Sequence, residues 1–382
     1  MPNSTFCNVP RLRFPGFEGE WESNKLSTYL YENKERNRAD EFNKSDVLSV
    51  SGDCGIVNQI ELLGRSFAGK SVADYHIVRT GNIVYTKSPL KEYPYGIVKY
   101  NSGKDGIVST LYAVYHHREN VNGRFVEHYF TSPQRTNRYF KPIVRIGAKH
   151  DMKIGNNEVL DNIVVFPGLE EQNKITELLD LLNQRIAIQN KTIAHYESLI
   201  RALYCNVFSL IKGNRVLLSE IVQIQKGKQI NGEDLSDTGR YYVMNGGVVP
   251  SGYYDQYNTE ANTISISEGG NSCGYVQYNI EPFWSGGHCY SLLNPSSEID
   301  YKFLYHFLKY HQDDIMSLRI GSGLPNIQKK DIERFPVTLP SFSEQVRYTK
   351  VFDAISSLVT TEKQILEQLI MRKDYLIQNL FI

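Results

Sequence analysis

Apolar side chains recur at alternating steps of four and three through two long stretches of this chain. In the first, Ile175, Leu179, Leu182, Ile186, Ile193, Ile200 and Leu203 form the stripe, extended by Tyr196 and Val207 and interrupted only at Gln189. A heptad stripe sustained this long predicts a helix zipped against a partner helix rather than one lying on a surface. A second stripe runs through Phe352, Ile355, Val359, Leu366, Leu369 and Leu376, with Tyr348 and Leu380 in the same pattern. It is the first stripe displaced by 173 positions. Glu171-Gln172 returns as Glu344-Gln345, Pro167 as Pro340, and Leu203, Asn206 and Phe208 as Leu376, Asn379 and Phe381. The polar break returns as well, Gln189 becoming Glu362, and Lys373 adds a second break. A buried polar pair in such a seam fixes alignment at a cost in stability.

The helix ends are legible. Ser341 with Glu344 three residues on is a capping-box pattern after Pro340, and Gly168 with Glu171 is a weaker version after Pro167. Gly213 reads as the stop of the first helix. From Glu170 to Phe208 the helix would run roughly 58 Å at 1.5 Å per residue.

The segments before each helix read differently. Strand-like runs such as 75–78, 83–85 and 107–115 in the first, and 241–244, 263–266 and 274–276 in the second, are separated by Gly, Asn, Ser and Pro. A shorter helix is expected from Lys302 to Leu318, before a loop at 321–326. The expected architecture is α+β: two mixed α/β blocks separated by two long helices packed as an antiparallel coiled coil, a pseudo-two-fold internal repeat. The expected bounds are 1–168, 169–212, 213–339 and 340–382. The two blocks share little sequence, as two similar frames with different faces would.

Composition narrows the function. The 26 tyrosines and 28 glycines lie mostly outside the helical stretches and suit β-rich, turn-rich blocks. No apolar run reaches a membrane span and no basic-then-apolar leader opens the sequence, so a cytoplasmic protein with no membrane association is expected. Five scattered cysteines without a C-x-x-C spacing read as reduced thiols. His116, His117 and His128 have no ligand-like partners, so no metal is expected. A formal net charge of +0 argues against indiscriminate polyanion binding but leaves room for local basic faces.

A two-fold object carrying two unlike heads suits a partner with an approximate dyad, and duplex DNA is the commonest such partner. Candidate contacts in the first block are Arg65, Lys70, Lys87, Lys99, Lys104, Arg135, Arg138 and Arg145, the last three in a basic run, 135–153, that also holds Lys141, Lys149 and Lys153. In the second they are Lys226, Lys228, Gln229, Asn231, Arg240, Lys329 and Lys330. Residues 241–282 hold no Lys or Arg, so contacts there would use Asn, Gln, Tyr or backbone, which suits base edges better than phosphates.

Two stretches of the sequence bear on catalysis. Residues 64–71 match the P-loop pattern, with Lys70 and Ser71 in the phosphate and magnesium positions, but the sequence beyond turns strand-like instead of opening a helix. A nucleotide-binding protein is the weaker alternative, and a basic loop near phosphates uses the same amide-plus-lysine physics. Base methylation needs an Asn/Asp-Pro-Pro-aromatic loop, and this chain has only Asn294-Pro295-Ser296. No catalytic residue and no cofactor are expected. A protein-assembly scaffold with two ligand-binding blocks is the other alternative.

Taken in order, the motifs resemble the specificity subunit of type I restriction-modification systems along the whole chain. The resemblance rests on Leu12-Arg13-Phe14-Pro15-Gly16-Phe17 with Glu20-Trp21 and Lys25-Leu26, on the two Pro-to-Glu-Gln openings, on the two Leu-x-x-Asn-x-Phe endings, and on Gly323-Leu324-Pro325-Asn326-Ile327. Gly155-Asn156-Asn157 stands in the first block where a Gly-x-x-x-Pro-Asn run would be. The resemblance implies two target-recognition domains, each reading one half of a split DNA sequence. It implies as partners double-stranded DNA, methyltransferase subunits docked on the helices, and a motor-nuclease subunit, with no chemistry performed by this subunit itself.

Overall fold

The computed structural model describes residues 8–147, 152–321 and 323–382. Cys7, Lys149, Asp151 and Ser322 therefore lie outside the described residues. The chain divides into two units: one runs to Ile188 and takes in Leu366–Ile382, and the other is Gln189–Ile365. Each long helix is thus shared by both. The first, Leu169–Phe208, has 40 residues and the second, Phe342–Asn379, has 38.

Both units follow one plan. In the first, a four-stranded antiparallel sheet has the order Leu30–Glu32, Tyr112–His117, Ile83–Thr86, Val98–Tyr100. In the second, the order is Gln223–Lys226, Cys289–Leu293, Thr263–Ser267, Val276–Asn279, again antiparallel. In each, the earliest strand is the edge and pairs with the latest. A separate ribbon leads into each long helix: Glu22–Lys25 with Ile163–Phe166, and Asn214–Leu217 with Pro336–Leu339. The later strands of the two ribbons stand 173 positions apart, the spacing of the helical repeat. The fold is α+β with an internal repeat, and the repetition extends into blocks whose sequences barely agree.

The helices run antiparallel within each unit. In the second, Gln189 faces Glu362 while Tyr204 packs on Phe352 at 4.8 Å between ring centroids, so one number climbs as the other falls. In the first, Ile175 and Leu179 near the start of one helix share a core with Ile377, Leu380 and Phe381 at the end of the other. Of the seam positions, Ile175, Leu179, Ile193 and Phe352 are buried. Leu182, Ile186, Ile200, Leu203, Ile355, Val359, Leu366, Leu369 and Leu376 are half-buried. Gln189 is buried, and its amide donates to the Glu362 carbonyl at 3.0 Å and to the Glu362 carboxylate. The seam's polar break is therefore a matched pair, as antiparallel packing of two equal helices brings about at a shared heptad position.

The Leu-x-x-Asn-x-Phe endings complete the cores. Phe381 packs on Phe125 and Tyr129 at 5.4 and 6.1 Å, and Phe208 on Phe303 and Phe307 at 5.8 and 5.5 Å. A helix that starts in one unit closes the core of the other.

Some local expectations change. The helix expected over 302–318 is two, Tyr301–Tyr310 and Gln312–Ser317, broken at His311. The strand expected over 107–115 is split into Gly106–Val108 and Tyr112–His117 by a turn. Gly213 does not cap the first helix, which ends at Phe208; a Cβ at Gly213 would lie 2.0 Å from the Leu339 carbonyl oxygen, so glycine is set by close backbone approach. At the second helix, Glu344 accepts from the Ser341 amide at 3.1 Å as a capping box requires, but the Ser341 hydroxyl turns to the same carboxylate at 2.6 Å.

Candidate functional site

What positions each α/β block on its helix is a hydrogen-bonded clamp made twice. Gln172 and Gln345 are each 1% exposed. The Gln172 side chain accepts from the Asn122 backbone N–H at 2.9 Å and donates to the carbonyls of Pro167 at 2.9 Å and Asn120 at 3.4 Å. Gln345 accepts from the Asp300 N–H at 2.9 Å and donates to Pro340 and Glu298 carbonyls at 3.0 and 3.1 Å. Asn122 and Asp300 are the N-caps of the helices Gly123–Tyr129 and Tyr301–Tyr310. A side-chain amide, donor and acceptor at once, satisfies backbone groups of both elements, which neither Glu nor an apolar residue could do.

Two turns on, the contact becomes ionic. Asp180 accepts from Arg124 at 2.7 Å and His128 Nε2 at 2.9 Å; Asp353 accepts from Lys302 at 2.7 Å and His306 Nε2 at 3.0 Å. The partners sit four residues apart on the capped helix, so a basic group and an imidazole share one face. Burial opposes the charge on both aspartates. The bonds from His128 and Arg124, and from Lys302 and His306, outweigh it and hold both carboxyls below their ordinary range. Burial pushes His306 down against the pull of Asp353; its Nε2 faces that carboxylate and its Nδ1 lies 2.7 Å from the Tyr204 hydroxyl. The glutamates of the two Glu-Gln openings have diverged: Glu171 is buried against a bidentate Arg13 at 2.9 Å, whereas Glu344 caps its own helix. The recurrence of Glu-Gln flags the glutamines. Asp180 and Asp353 carry the same offset, but a lone half-buried carboxylate in a helix gives no local signal.

The candidate contact residues fall into two groups. Arg65, Lys70, Lys104, Arg138, Arg145, Lys228, Gln229, Asn231, Arg240 and Lys330 are exposed. Lys226 is exposed with its ammonium 2.5 Å from Glu268, and Lys329 pairs with Glu333 at 3.4 Å. Three are occupied inside the first unit. Arg135 is 7% exposed; its guanidinium donates to the carbonyls of Tyr129 and Ile377 at 2.8 and 3.1 Å and lies over the Phe381 ring, and burial lowers it to about 10. Lys87 donates to the Ile154 carbonyl at 2.9 Å and to Asn156 at 2.6 Å, with burial pushing its ammonium down. Lys99 pairs with Glu127 at 3.3 Å. Asn156 also donates to Glu32 at 2.7 Å, so Gly155-Asn156-Asn157 holds the first block together internally.

Residues 64–71 open no helix. Gly64 ends the short helix Gln59–Leu63 in a left-handed conformation, and the chain continues irregularly to the strand His76–Val78. The nucleotide-binding alternative loses the helix N-terminus that a phosphate cradle needs. Among the described residues there is no His, Cys, Asp and Glu grouping able to hold a metal ion, and no helix long and apolar enough to cross a membrane.

Comparison with known proteins agrees with this geometry. Residues 214–370 match the type I restriction modification DNA specificity domain. The chain is similar to putative type I specificity subunits of Mycoplasma pneumoniae, at 37% identity over 123 residues, and Mycoplasma genitalium, at 36% over 126. Those matches span 32% of this chain and 32% of either relative's length. The crystal structure of a type I restriction-modification system S subunit from M. genitalium superposes with a TM-score of 0.69 at 18% identity, covering 98% of this chain and 99% of that one. A chain from a structure titled for complex assembly and conformational transition of the type I R-M system gives 0.53 at 16%, covering 97% of each. At these identities the structural likenesses establish the fold, and the sequence matches cover about a third of the chain. Residues 214–370 thus match the type I restriction modification DNA specificity domain, and the chain shares the fold of a type I restriction-modification S subunit along its length.

Proposed function

We propose that this chain is the non-catalytic DNA-reading subunit of a type I restriction-modification complex. Its two heads, 1–168 and 213–339, each read half of a split target. The long helices, 169–212 and 340–382, serve as spacers that dock methyltransferase subunits, and a motor-nuclease subunit completes the restriction complex. It works in the cytoplasm, on chromosomal and incoming DNA. The observation that carries the reading is the duplicated clamp: one joint fixes two dissimilar blocks to two equivalent helices, which suits readers that differ in target but share an assembly. Base edges supply sequence information and phosphates supply position and affinity. The exposed polar residues Gln229 and Asn231, and the Lys- and Arg-free stretch 241–282, suit base reading.

The test is to purify the chain with its methyltransferase partner and map methylated adenines genome-wide. A bipartite, asymmetric motif with a fixed gap is expected, and one continuous motif contradicts the proposal. Replacing residues 214–338 by another such head should alter one half-site only.

A further inference from the structure

The edge strand of each four-stranded sheet runs out into a basic strip. In the first head, Leu30–Glu32 leads to Lys34, Arg36 and Arg38. With Glu32 these three line a shallow groove of about 420 Å³. The alternate residues are anchors. Asn33 and Asn37 are 1% and 0% exposed. Asn33 donates to the Ile77 carbonyl at 3.2 Å and accepts from the Glu35 N–H at 2.8 Å. Asn37 donates to the Phe42 carbonyl at 2.8 Å and accepts from the Phe42 N–H at 2.9 Å. Three backbone bonds, from Asn33 to Val114, Asn37 to Tyr75 and Ile77 to Glu35, fix the segment further. The cations stand on a rail that is already ordered, so a ligand need not pay to organise its backbone.

Nearby acids do not cancel the strip. Glu32 keeps its charge, accepting from the Asn156 amide at 2.7 Å and acting on Lys87, so it offsets one cation at most, and Glu35 turns to Arg79 at 3.6 Å. Asp74 stands 3.8 Å from Arg38 with both side chains mostly exposed, and its carbonyl accepts from Arg36 at 3.1 Å. Such an exposed pair contributes little and is readily exchanged for another anion.

The second head repeats the device. Gln223–Lys226 holds the same edge position and runs into Lys226-Gly227-Lys228. The backbone here is pinned as well: Gly227 donates to Cys289 and Lys228 to Ser285, both at 2.8 Å, and Trp284 donates to the Lys228 carbonyl at 2.9 Å. A Cβ at Gly227 would lie 2.2 Å from the Gly286 carbonyl oxygen. Lys226, the last residue of the strand, is held at 2.5 Å by the Glu268 carboxylate, and Lys228 stands two residues on, so cations leave the corresponding edge strand in both heads although the surrounding sequences differ.

We propose that this strand exit, Lys34, Arg36 and Arg38 in the first head and Lys226 and Lys228 in the second, grips the sugar-phosphate backbone of a DNA duplex. The inference rests on the DNA-reading function proposed above. Backbone contacts fix register without reading sequence, so the grip recurs while the base-reading surfaces diverge.

The experiment uses the full chain with its methyltransferase partner, a duplex carrying the motif found by methylation mapping, and a scrambled duplex. Lys34→Gln/Arg36→Gln/Arg38→Gln removes three cations. Each phosphate contact contributes about 0.9 to the slope of log K against log salt, so the slope falls by about 2.7 on both duplexes. Between about 50 and about 200 mM salt the variant should lose roughly 40-fold less affinity than wild type, with the methylated motif unchanged. Lys34→Gln alone, a single exposed change, should lower the slope by about 0.9, and Lys34→Arg should restore it. A folded variant with an undiminished slope overturns the grip while the DNA-reading function stands. So does loss of the methyltransferase partner at unchanged slope, which would make the strip a protein-docking surface. A wild-type complex without sequence-specific binding removes both.

Discussion

Replacing Gln345 by methionine tests the clamp at nearly constant volume. The substitution leaves the Asp300 N–H and the carbonyls of Pro340 and Glu298 without the side-chain partner that now lies 2.9 to 3.1 Å from each. At about 1 kcal/mol net per bond, in a site 1% exposed, the second unit should lose about 3 kcal/mol. Because the bonds join the N-cap of Tyr301–Tyr310 to the long helix, the loss should appear first as undocking of that helix. Its amides would then lose roughly 100-fold of their protection against hydrogen exchange. Gln364→Met, at an exposed position of the same helix, is the control. Gln172→Met should do the same in the first unit and leave the second untouched. If Gln345→Met is no worse than the control, the buried amide is not what holds block to helix and the account of the clamp fails.

The two tryptophans report separately, Trp21 from the first unit and Trp284 from the second, so single-tryptophan variants resolve the remaining stability tests. Phe381→Ala should cost the first unit about 3–5 kcal/mol and Phe208→Ala the second a similar amount, read by urea unfolding; equal effects on both probes would contradict the separate cores. Burial, aided by Arg36 and Lys87, lowers His76 to about 4 from 6.5. The unfolded chain therefore takes up the proton first on acidification. The first unit's stability is fully present above about pH 6.5 and declines towards pH 4, a slope that His76→Gln should flatten in Trp21 fluorescence. Lengthening the first long helix by one heptad, roughly 10 Å, should widen the gap of the methylated motif by about three base pairs with both half-sites intact; an unchanged gap with altered half-sites would show that the helix is not a spacer.

The parts legible in the sequence are those whose physics repeats along the chain. A seam of Ile, Leu, Val and Phe at heptad spacing has one geometric solution, and the 173-residue offset exposed the glutamines, the closing phenylalanines and the Gln189–Glu362 break together. The site was less legible because charge does not announce its direction. Arg135 belongs to a basic run, yet its helix turns it onto backbone carbonyls, while Lys34, Arg36 and Arg38 show their alternation only once the intervening asparagines are seen to be buried. The clamp's ionic half was hidden because Arg124 and His128 are far from Asp180 in sequence and meet it only through the fold. Lys226 and Lys228 are plain in the sequence as cations, but their kinship with the first head's strip lies in sheet position.

The exchange of helix ends sets a timetable for synthesis. The first unit needs Leu366–Ile382, and Phe381 in particular, to fill its interior, yet the ribosome makes those residues only after the entire second unit. At about 5–20 residues per second, the nascent first unit waits on the order of ten to forty seconds with an open apolar face. Premature termination anywhere in the second half would leave that wound unhealed, so truncated translation products should be chaperone clients and poor decoys for the finished molecule.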